Sequence, residues 1–470
     1  MNTECNATQL EFQGLGRRKV QAAFDGGHLS SDGGALLLRD VDERLRVTER
    51  LAQCFTDHRD RDLIEHRALE LLRQRIQGLA LGYEDLNDHD DLSRDPLLAL
   101  ACGKEDVEGR QRVREADRGK ALASSKTLNR LELTPADAGP RSRYKKIVYH
   151  PEKIEALLVE LFLDSYAAAP KEIILDFDAT DDPLHGNQEG RFFHGYYGAY
   201  CYMPLYVTCD EHLLVAKLRT ANRDASTGSV EVLAALVEQI RKRWPEVRII
   251  LRGDSGFARD NTMLWCESND VYYVLGLAKN SRLLDMIGNA LLAASVRYLQ
   301  TGVAARVFTR FFYRTRDSWS TERRVIAKAE QLPKGANPRF IVTNLPEDYA
   351  EPKALYEELY CARGDMENRI KEQQLDLFAD RTSAGTLRAN QLRLWFSSFA
   401  YVLVSALRRV ALKGTRLADA SCGTIRLKLF KIAALVEVSV RRFVIHLASA
   451  CPYQDVFRKA CRNLHYPLRT

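Results

Sequence analysis

The chain has 470 residues, of which 46% are hydrophobic and 28% charged, a composition typical of a globular protein and not of a disordered or collagen-like one. Lys and Arg number 69 against 63 Asp and Glu, and the resulting net charge of +6 is only a weak indication of a polyanionic partner. No run of about 18 apolar residues is present, and the first residues lack a signal-peptide pattern. We therefore expect a cytoplasmic protein that does not enter a membrane.

The first region, residues 1–140, is predicted to be an α-rich N-terminal domain. Apolar residues recur with helical spacing over residues 35–50 and 63–81. Residues 134–144 contain two prolines and a glycine, which is typical of a linker. This linker is expected to separate the first domain from the next one.

The next region alternates strands and helices, which predicts an α/β domain whose sheet is covered by helices. Its strands are predicted at residues 172–177, 200–208, 212–218, 247–251 and 271–277, and its helices at residues 151–168 and 227–243. We assign residues 145–280 and 350–383 to this domain. A single long helix is predicted over residues 352–377.

Between these two parts, the hydrophobic pattern changes to a period of two. Antiparallel strands are therefore predicted over residues 307–315, 322–329 and 339–343. Residues 281–349 are interpreted as a β-rich insertion that interrupts the α/β domain.

The last region, residues 384–470, is predicted to be mostly helical and strongly basic. It contains 15 Lys and Arg residues and three acidic residues. Arg426, Lys428 and Lys431 recur among apolar residues, so one helical face can pack while another meets phosphates. The alternative is a charged face that only meets solvent.

Carboxylates stand at three positions that suit a metal site. Asp176 and Asp178 lie two residues apart at the end of a hydrophobic strand, Asp254 follows a second buried strand, and Glu367 lies in the long helix. Taken singly, such residues also occur as turn caps or in surface ion pairs. Together they predict a hard oxygen-ligand site for Mg²⁺ or Mn²⁺, of the kind that supports phosphoryl transfer.

The helix around Glu367 contains the most specific pattern in the chain. Tyr360, Arg363 and Glu367 are spaced three and four residues apart, so they share one face of a regular helix. This face offers an aromatic ring with a hydroxyl, a guanidinium that binds phosphate and a carboxylate for a metal ion.

These motifs resemble a known group of proteins. The pattern Tyr-x2-Arg-x3-Glu, after a strand-end Asp-x-Thr and a Gly-Asp-Ser-Gly-Phe, is similar to the DDE transposases of bacterial insertion sequences, and most closely to the insertion-sequence 1380 family. The resemblance covers nearly the whole chain and includes residues 24–35, 82–89, 122–130 and 185–190. It implies an RNase H-like catalytic domain that is interrupted by an insertion.

The resemblance also implies a function. Asp178, Asp254 and Glu367 would be the catalytic triad and would bind Mg²⁺ or Mn²⁺, and Tyr360 and Arg363 would contact DNA. The protein would cut the terminal inverted repeats of its element and join them to target DNA, by cut-and-paste movement through hairpin ends. It would work as a homodimer in the bacterial cytoplasm, at the nucleoid, with the N-terminal domain recognising the DNA end. The alternatives are an inactive or domesticated DNA-binding protein and a nuclease that only hydrolyses DNA.

Some assignments stay open at this point. The family pattern expects a Lys where this chain has Gln374, and Lys371, one turn after Glu367, is the candidate replacement. Asp176 is an alternative to Asp178 as the first acid. Trp319 either stacks on a flipped base near the cleavage site or is an aromatic residue of the core or of a hairpin tip. Arg191 and His194 are candidates for contact with the DNA backbone.

Overall fold

The computed structural model describes residues 9–465. The N-terminal region has strands β1 (Leu10–Leu15), β2 (Arg18–Ala22), β3 (Leu29–Ser30), β4 (Phe55–Asp57) and β5 (Ile147–Tyr149). Its helices are α1 (Ala35–Leu45), α2 (Val47–Ala52), α3 (Ala68–Leu81), α4 (Asp88–Leu92), α5 (Pro96–Ala101) and α6 (Ser125–Glu132). Short 3₁₀ turns occur at Arg61–Leu63 and Glu115–Asp117.

The central region contains helices α7 (Pro151–Asp164), α8 (Ser229–Arg243), α9 (Asp260–Ser268), α10 (Ser281–Met286) and α11 (Gly288–Thr301). Its first strands are β6 (Glu172–Ala179), β7 (Asp182–Pro183), β8 (Phe192–His194), β9 (Ala199–Tyr202), β10 (Leu205–Cys209) and β11 (His212–Lys217). Its later strands are β12 (Arg248–Gly253), β13 (Tyr272–Leu277), β14 (Ala305–Tyr313), β15 (Arg323–Leu332), β16 (Gly335–Ala336) and β17 (Arg339–Thr343).

A mixed sheet of nine strands organises this region. The strand order is β11-β10-β6-β12-β13-β17-β15-β14, and β16 pairs with β15. β6, β12 and β13 run parallel to one another, while β10, β11 and the later strands pair antiparallel. Residues 173–177 of β6 are all apolar except Asp176, as expected for a central strand that is covered on both faces.

The segment predicted as a β-rich insertion continues this sheet and does not form a separate sheet. β17 pairs antiparallel with β13, and β15 then pairs with β17 and β14. The segment is also less purely β than predicted, since α10 and α11 precede its strands and α11 packs against β14 and β15.

The predicted long helix is continuous but irregular. It consists of α12 (Pro352–Ala354), a π-helical turn at Leu355–Tyr360, a 3₁₀ turn at Cys361–Arg363, α13 (Gly364–Lys371) and a second π-helical turn at Glu372–Asp376. π-turns rotate the following residues relative to a regular helix and are frequent at functional sites. The regular spacing assumed for this helix therefore does not hold along its length.

The C-terminal region is not wholly helical. It contains α14 (Leu387–Val410), α15 (Cys422–Ile425), a π-helical turn at Arg426–Phe430, strands β18 (Ala434–Ser439) and β19 (Arg442–Leu447), and α16 (Gln454–His465). The two strands form a hairpin whose first strand pairs with β3. The hairpin contains Val436, Val438, Phe443, Val444 and Ile445, and β-branched and aromatic residues of this kind are common in strands.

The two ends of the chain share one hydrophobic core. Leu38 of α1, Leu72 of α3, Phe399 of α14 and Ala460 of α16 belong to the same buried cluster. At Gly34, a Cβ atom would collide with the carbonyl oxygen of Leu429, so a glycine is required where the two ends meet. The boundary predicted near residue 140 therefore does not divide two independent cores.

No helix within residues 9–465 has the length and apolar composition that crossing a lipid bilayer requires.

A fragment of residues 1–140 should not fold by itself, because much of the apolar surface of α1 and α3 is buried only by α14 and α16. We expect no cooperative urea unfolding transition for this fragment in circular dichroism, while the full chain shows one. A cooperative transition of the isolated fragment would contradict the shared core.

Candidate active site

Asp178 and Asp254 lie next to each other at the ends of two adjacent strands. The register of the parallel strands β6 and β12 pairs Phe177 with Gly253, so Asp178 and Asp254 follow at the same edge. The Oδ1 atom of Asp254 accepts a hydrogen bond from the backbone N–H of Gly256 at 2.8 Å and so forms an Asx-turn, one of the turn roles that the sequence left open for this acid. The turn orients this carboxylate and does not exclude a second role.

The irregular helix adds Arg363 and Glu367 to this edge. Arg363 Nη1 lies 3.3 Å from Asp178 Oδ2, and Arg363 Nη2 lies 3.0 Å from Glu367 Oε1. The Asp178 and Arg363 side chains are 15% and 20% exposed, while that of Glu367 is 48% exposed. The guanidinium thus bridges the strand-end acid and the helix acid, and the site opens to solvent on the side of Glu367.

The electrostatics of Asp178 reflect a crowded acidic site. The pKa of Asp178 is raised to about 6, mainly by burial and to a smaller extent by the negative charges of Asp254 and Glu367, while the charge of Arg363 opposes the shift. Carboxylates that repel one another are stabilised by a cation. Arg363 supplies that positive charge in this structure.

The neighbouring Asp176 has a different environment from Asp178. Its side chain is 5% exposed and binds Arg252 of β12, with Nε–Oδ1 and Nη2–Oδ2 distances of 2.5 and 2.7 Å. Arg252 Nη1 also donates a hydrogen bond to the carbonyl oxygen of Leu359 at 2.5 Å. Asp176 is therefore committed to a buried ion pair, and Asp178 is the acid that faces Arg363 and Glu367.

The position of Tyr360 depends on a glycine in the sheet. A Cβ atom on Gly276 of β13 would lie 2.5 Å from the Tyr360 hydroxyl oxygen. Burial raises the pKa of Tyr360, and the charge of Asp254 raises it further. The phenol thus lies over the sheet close to Asp254, where a larger residue at position 276 would displace it.

The carboxylates of Asp178, Asp254 and Glu367 are suitable ligands for a hard divalent cation, but their oxygen atoms do not surround a common point. Carboxylates from two adjacent strand ends and a helix are oxygen ligands of the kind that Mg²⁺ and Mn²⁺ prefer. Within residues 9–465, however, no three His, Cys, Asp or Glu side chains come close enough together to hold a metal ion. Arg363 occupies the space between Asp178 and Glu367, so cation binding at this site requires a shift of its guanidinium.

Lys371 and Gln374 have separate roles in the structure. Gln374 Nε2 donates to Asp182 Oδ1 at 2.9 Å and to the carbonyl oxygen of Asp181 at 3.0 Å, and so joins the helix to the loop after β6. Burial raises the pKa of Asp182 to about 8. Lys371 is exposed, so its ammonium group is free to meet a ligand.

Trp319 lies in the core and not at a surface. It is 6% exposed, and its ring packs edge-on against Tyr313, with ring centroids 5.7 Å apart. The guanidinium of Arg323 covers it at 5.6 Å from the ring centroid. Both contacts leave no free ring face for a base, so of the two readings the core aromatic agrees with this structure.

Two of the three basic residues selected in the C-terminal region are used inside the protein. Arg426 donates hydrogen bonds to the carbonyl oxygens of Ala80 and Asp376. Lys431 Nζ forms an ion pair with Asp32 Oδ1 at 2.7 Å. Lys428 alone of the three is exposed. Of these three residues, only Lys428 is therefore placed to meet a phosphate, because Arg426 and Lys431 bind groups of the protein itself.

Sequence reasoning missed the contribution of Arg252. It stands in the Leu-Arg-Gly-Asp motif that identified Asp254, directly opposite Asp176 on the neighbouring strand. An Arg inside an otherwise apolar strand requires a buried acidic partner, and Asp176 is the unpaired acid of the other central strand. That signal was available before the structure.

The fold and the site define an α/β protein with an acidic centre at the edge of a mixed sheet. Residues 12–467 match the family model for the transposase DDE domain group 1, and the chain belongs to this family. A comparison with curated proteins found no match. A cryo-EM structure of the piggyBac transposase synaptic complex with hairpin DNA is similar over 85% of this chain and 79% of that chain, with 11% sequence identity and a TM-score of 0.40.

Replacing Arg252 by Met should destabilise the protein by about 3–5 kcal/mol, because the substitution leaves the Asp176 carboxylate buried without its partner. The matched control is Arg248→Met in the same strand, whose ion pair with Glu172 is in contact with solvent, with side chains 45% and 27% exposed, and contributes about 1 kcal/mol or less. Urea unfolding of both variants measures the difference. Equal stability of the two variants would contradict the structural role of the buried pair.

Proposed function

We propose that the protein is an active DDE transposase that cleaves DNA at the ends of its insertion sequence and joins the cut ends to target DNA. The observation that supports this most directly is that Asp178 and Asp254 end adjacent strands at one edge of the sheet, where Arg363 bridges Asp178 to Glu367 of the helix. Membership of the DDE transposase family is consistent with this assignment.

Within this proposal, Asp178, Asp254 and Glu367 hold the cofactor. A divalent ion, Mg²⁺ or Mn²⁺, supplies charge stabilisation for phosphodiester hydrolysis and transesterification when it is bound there. Arg363 turns from the carboxylates towards the phosphate oxygens of the scissile DNA, for which its planar fork is suited. Tyr360, held against Gly276, orients the DNA beside Asp254.

The wider arrangement follows the family resemblance. We propose that DNA ends are recognised by the helical region formed by both chain ends, which share one core, and not by an independent N-terminal domain. Lys371 contacts the DNA backbone next to the acidic site. Cut-and-paste movement through hairpin ends and action as a homodimer in the bacterial cytoplasm belong to the same proposal.

Asp178→Asn, Asp254→Asn and Glu367→Gln should each reduce Mg²⁺-dependent cleavage of the terminal repeats by at least about 10²-fold, because each removes an oxygen ligand of the cofactor. Binding of the same DNA should change little. Asp365→Asn is the control, since Asp365 is an exposed acid on the same helix. Cleavage and joining are followed on labelled repeats in gels.

The products of this experiment separate the competing functions. Cleavage followed by joining supports a transposase, cleavage alone indicates a nuclease, and binding without cleavage indicates a DNA-binding protein. Normal cleavage by any of the three variants would refute the triad. If Asp176→Asn were folded and inactive while Asp178→Asn was active, the first acid would be Asp176.

Lys428→Gln should lower the slope of log K against log salt concentration for end binding by about 0.9, the value for one lost phosphate contact. Arg426→Gln and Lys431→Gln should leave the slope unchanged and reduce the free energy of unfolding instead, because both residues have partners within the protein. Salt titrations and urea unfolding measure the two quantities. A slope that falls equally in all three variants would restore the basic face predicted from the sequence.

A further inference from the structure

A hairpin next to Asp178 exposes an unusual number of aromatic rings. Six of the eleven residues from Phe192 to Tyr202 are Phe or Tyr. Phe193 is 58% exposed and Tyr196 is 86% exposed, and Phe192 and Tyr200 are also largely exposed. Large aromatic side chains lose contact with water when they pack, so a cluster that stays open indicates a binding surface.

The rings are held in place by one another and by the hairpin. Phe193 and Tyr200 face each other across β8 and β9, with ring centroids 5.6 Å apart at an angle of 73°. The guanidinium of Arg191 covers the ring of Tyr200 at 4.9 Å, and Arg191 Nη1 donates to the carbonyl oxygen of Gly186 at 2.6 Å. These contacts fix the orientation of the rings before any ligand binds.

The hairpin is attached directly beside the acidic site. Tyr202 of β9 pairs with Asp182 of β7, four residues after Asp178. Tyr197 packs in a small apolar cluster with Ala179, the residue next to Asp178. The exposed rings therefore stand at the side of the acidic site, within reach of a DNA strand bound there.

The chemistry of the surface favours nucleic acid bases over a protein partner. Residues 190–208 contain no Asp or Glu, while Arg191 and His194 lie among the rings. Such a surface does not repel phosphates, and the exposed rings of Phe193 and Tyr196 can stack on a base. Bases can use these faces only when they are outside a double helix, since paired bases are already stacked.

We propose that the aromatic hairpin, residues 191–202, stacks against unpaired nucleobases of the DNA strand next to the scissile phosphate. The proposal rests on the proposed function, because it takes Asp178 as part of the cleavage centre. It assigns base stacking to this hairpin, a role for which Trp319 is too deeply buried. The substrate class is a DNA end with local unpairing, and not a fully paired duplex.

The test compares two DNA duplexes that carry the terminal repeat. One is fully paired, and the other has two unpaired nucleotides at the cleavage position, one of them 2-aminopurine, whose fluorescence falls on stacking. The full-length protein should bind the unpaired DNA about tenfold more tightly than the paired DNA and quench its fluorescence. Phe193→Ala and Tyr196→Ala should lose most of that preference and of the quenching, with binding of paired DNA within about twofold of the parent.

Matched variants separate stacking from a general loss of structure. Phe312→Ala is the control for Phe193→Ala, because Phe312 is 59% exposed on β14, outside the hairpin, and should keep the preference. Tyr196→Phe preserves the ring and should also keep it. Thermal unfolding of each variant shows whether the fold is retained.

Any of the following results would overturn the proposal. Equal binding of both DNAs by the parent protein, or a preference that survives in both alanine variants, excludes stacking by the hairpin. A change in oligomer mass by light scattering, without a change in DNA preference, would mean that the rings meet a second copy of the chain. If the parent protein cleaves the repeats with Mg²⁺ but shows no preference, only this inference fails. If it neither binds nor cleaves them, the proposed function fails.

Discussion

The buried ion pair between Asp176 and Arg252 is the interaction on which the geometry of the acidic site depends. Burying two charges is costly unless each is paired and hydrogen-bonded, and here both oxygens of Asp176 accept from Arg252. The third nitrogen of Arg252, Nη1, donates to the carbonyl oxygen of Leu359, one residue before Tyr360. The Arg252 side chain therefore links both central strands to the irregular helix. This link helps to position Arg363 and Glu367, which follow Leu359 in the helix, next to the strand ends.

The other end of that helix is held by a second set of polar contacts. Arg408 of α14 binds Glu372, with an Nη1–Oε2 distance of 3.0 Å. Gln374 donates a hydrogen bond to Asp182, and burial raises the pKa of this acid and so favours its neutral form. A neutral acid suits an amide partner, whereas a Lys at position 374 would require an ionised one. The Gln in place of the expected Lys is thus consistent with the buried environment of its partner, and the exposed Lys371 is left for external ligands.

The sequence predicted where the central strands end and which acidic residues follow them, but it did not predict which charged side chains have partners within the protein. The reason is physical. β6 and β12 are near-continuous apolar runs, so the acids that end them could be located from pattern alone. Ala80, which binds Arg426, and Asp32, which binds Lys431, lie more than 300 residues before them in the chain. No local pattern reveals whether such a charge already has a partner. The same limit applies to the shared core, because helical periodicity shows that α1 and α14 have apolar faces but not that the faces meet. The β18–β19 hairpin was misread because its apolar residues fit a helix as well as a strand, and its pairing with β3 decides between them.

A helix held at both ends couples the acidic site to the helical region. Arg252 anchors its beginning to the sheet, while Glu372 and Asp376 anchor its end to α14 and to the turn at Gly423, whose N–H donates to Asp376. In the middle of the helix, Arg363 and Glu367 face the acidic site, while Met366 and Ile370 are buried in the shared core. The anchoring residues Leu359, Glu372 and Asp376 all lie in the two π-helical turns of the helix. The π-turn at Glu372–Asp376 therefore lies between α14 and the part of the helix that carries Arg363 and Glu367, so the acidic site and the helical region are joined through one continuous element.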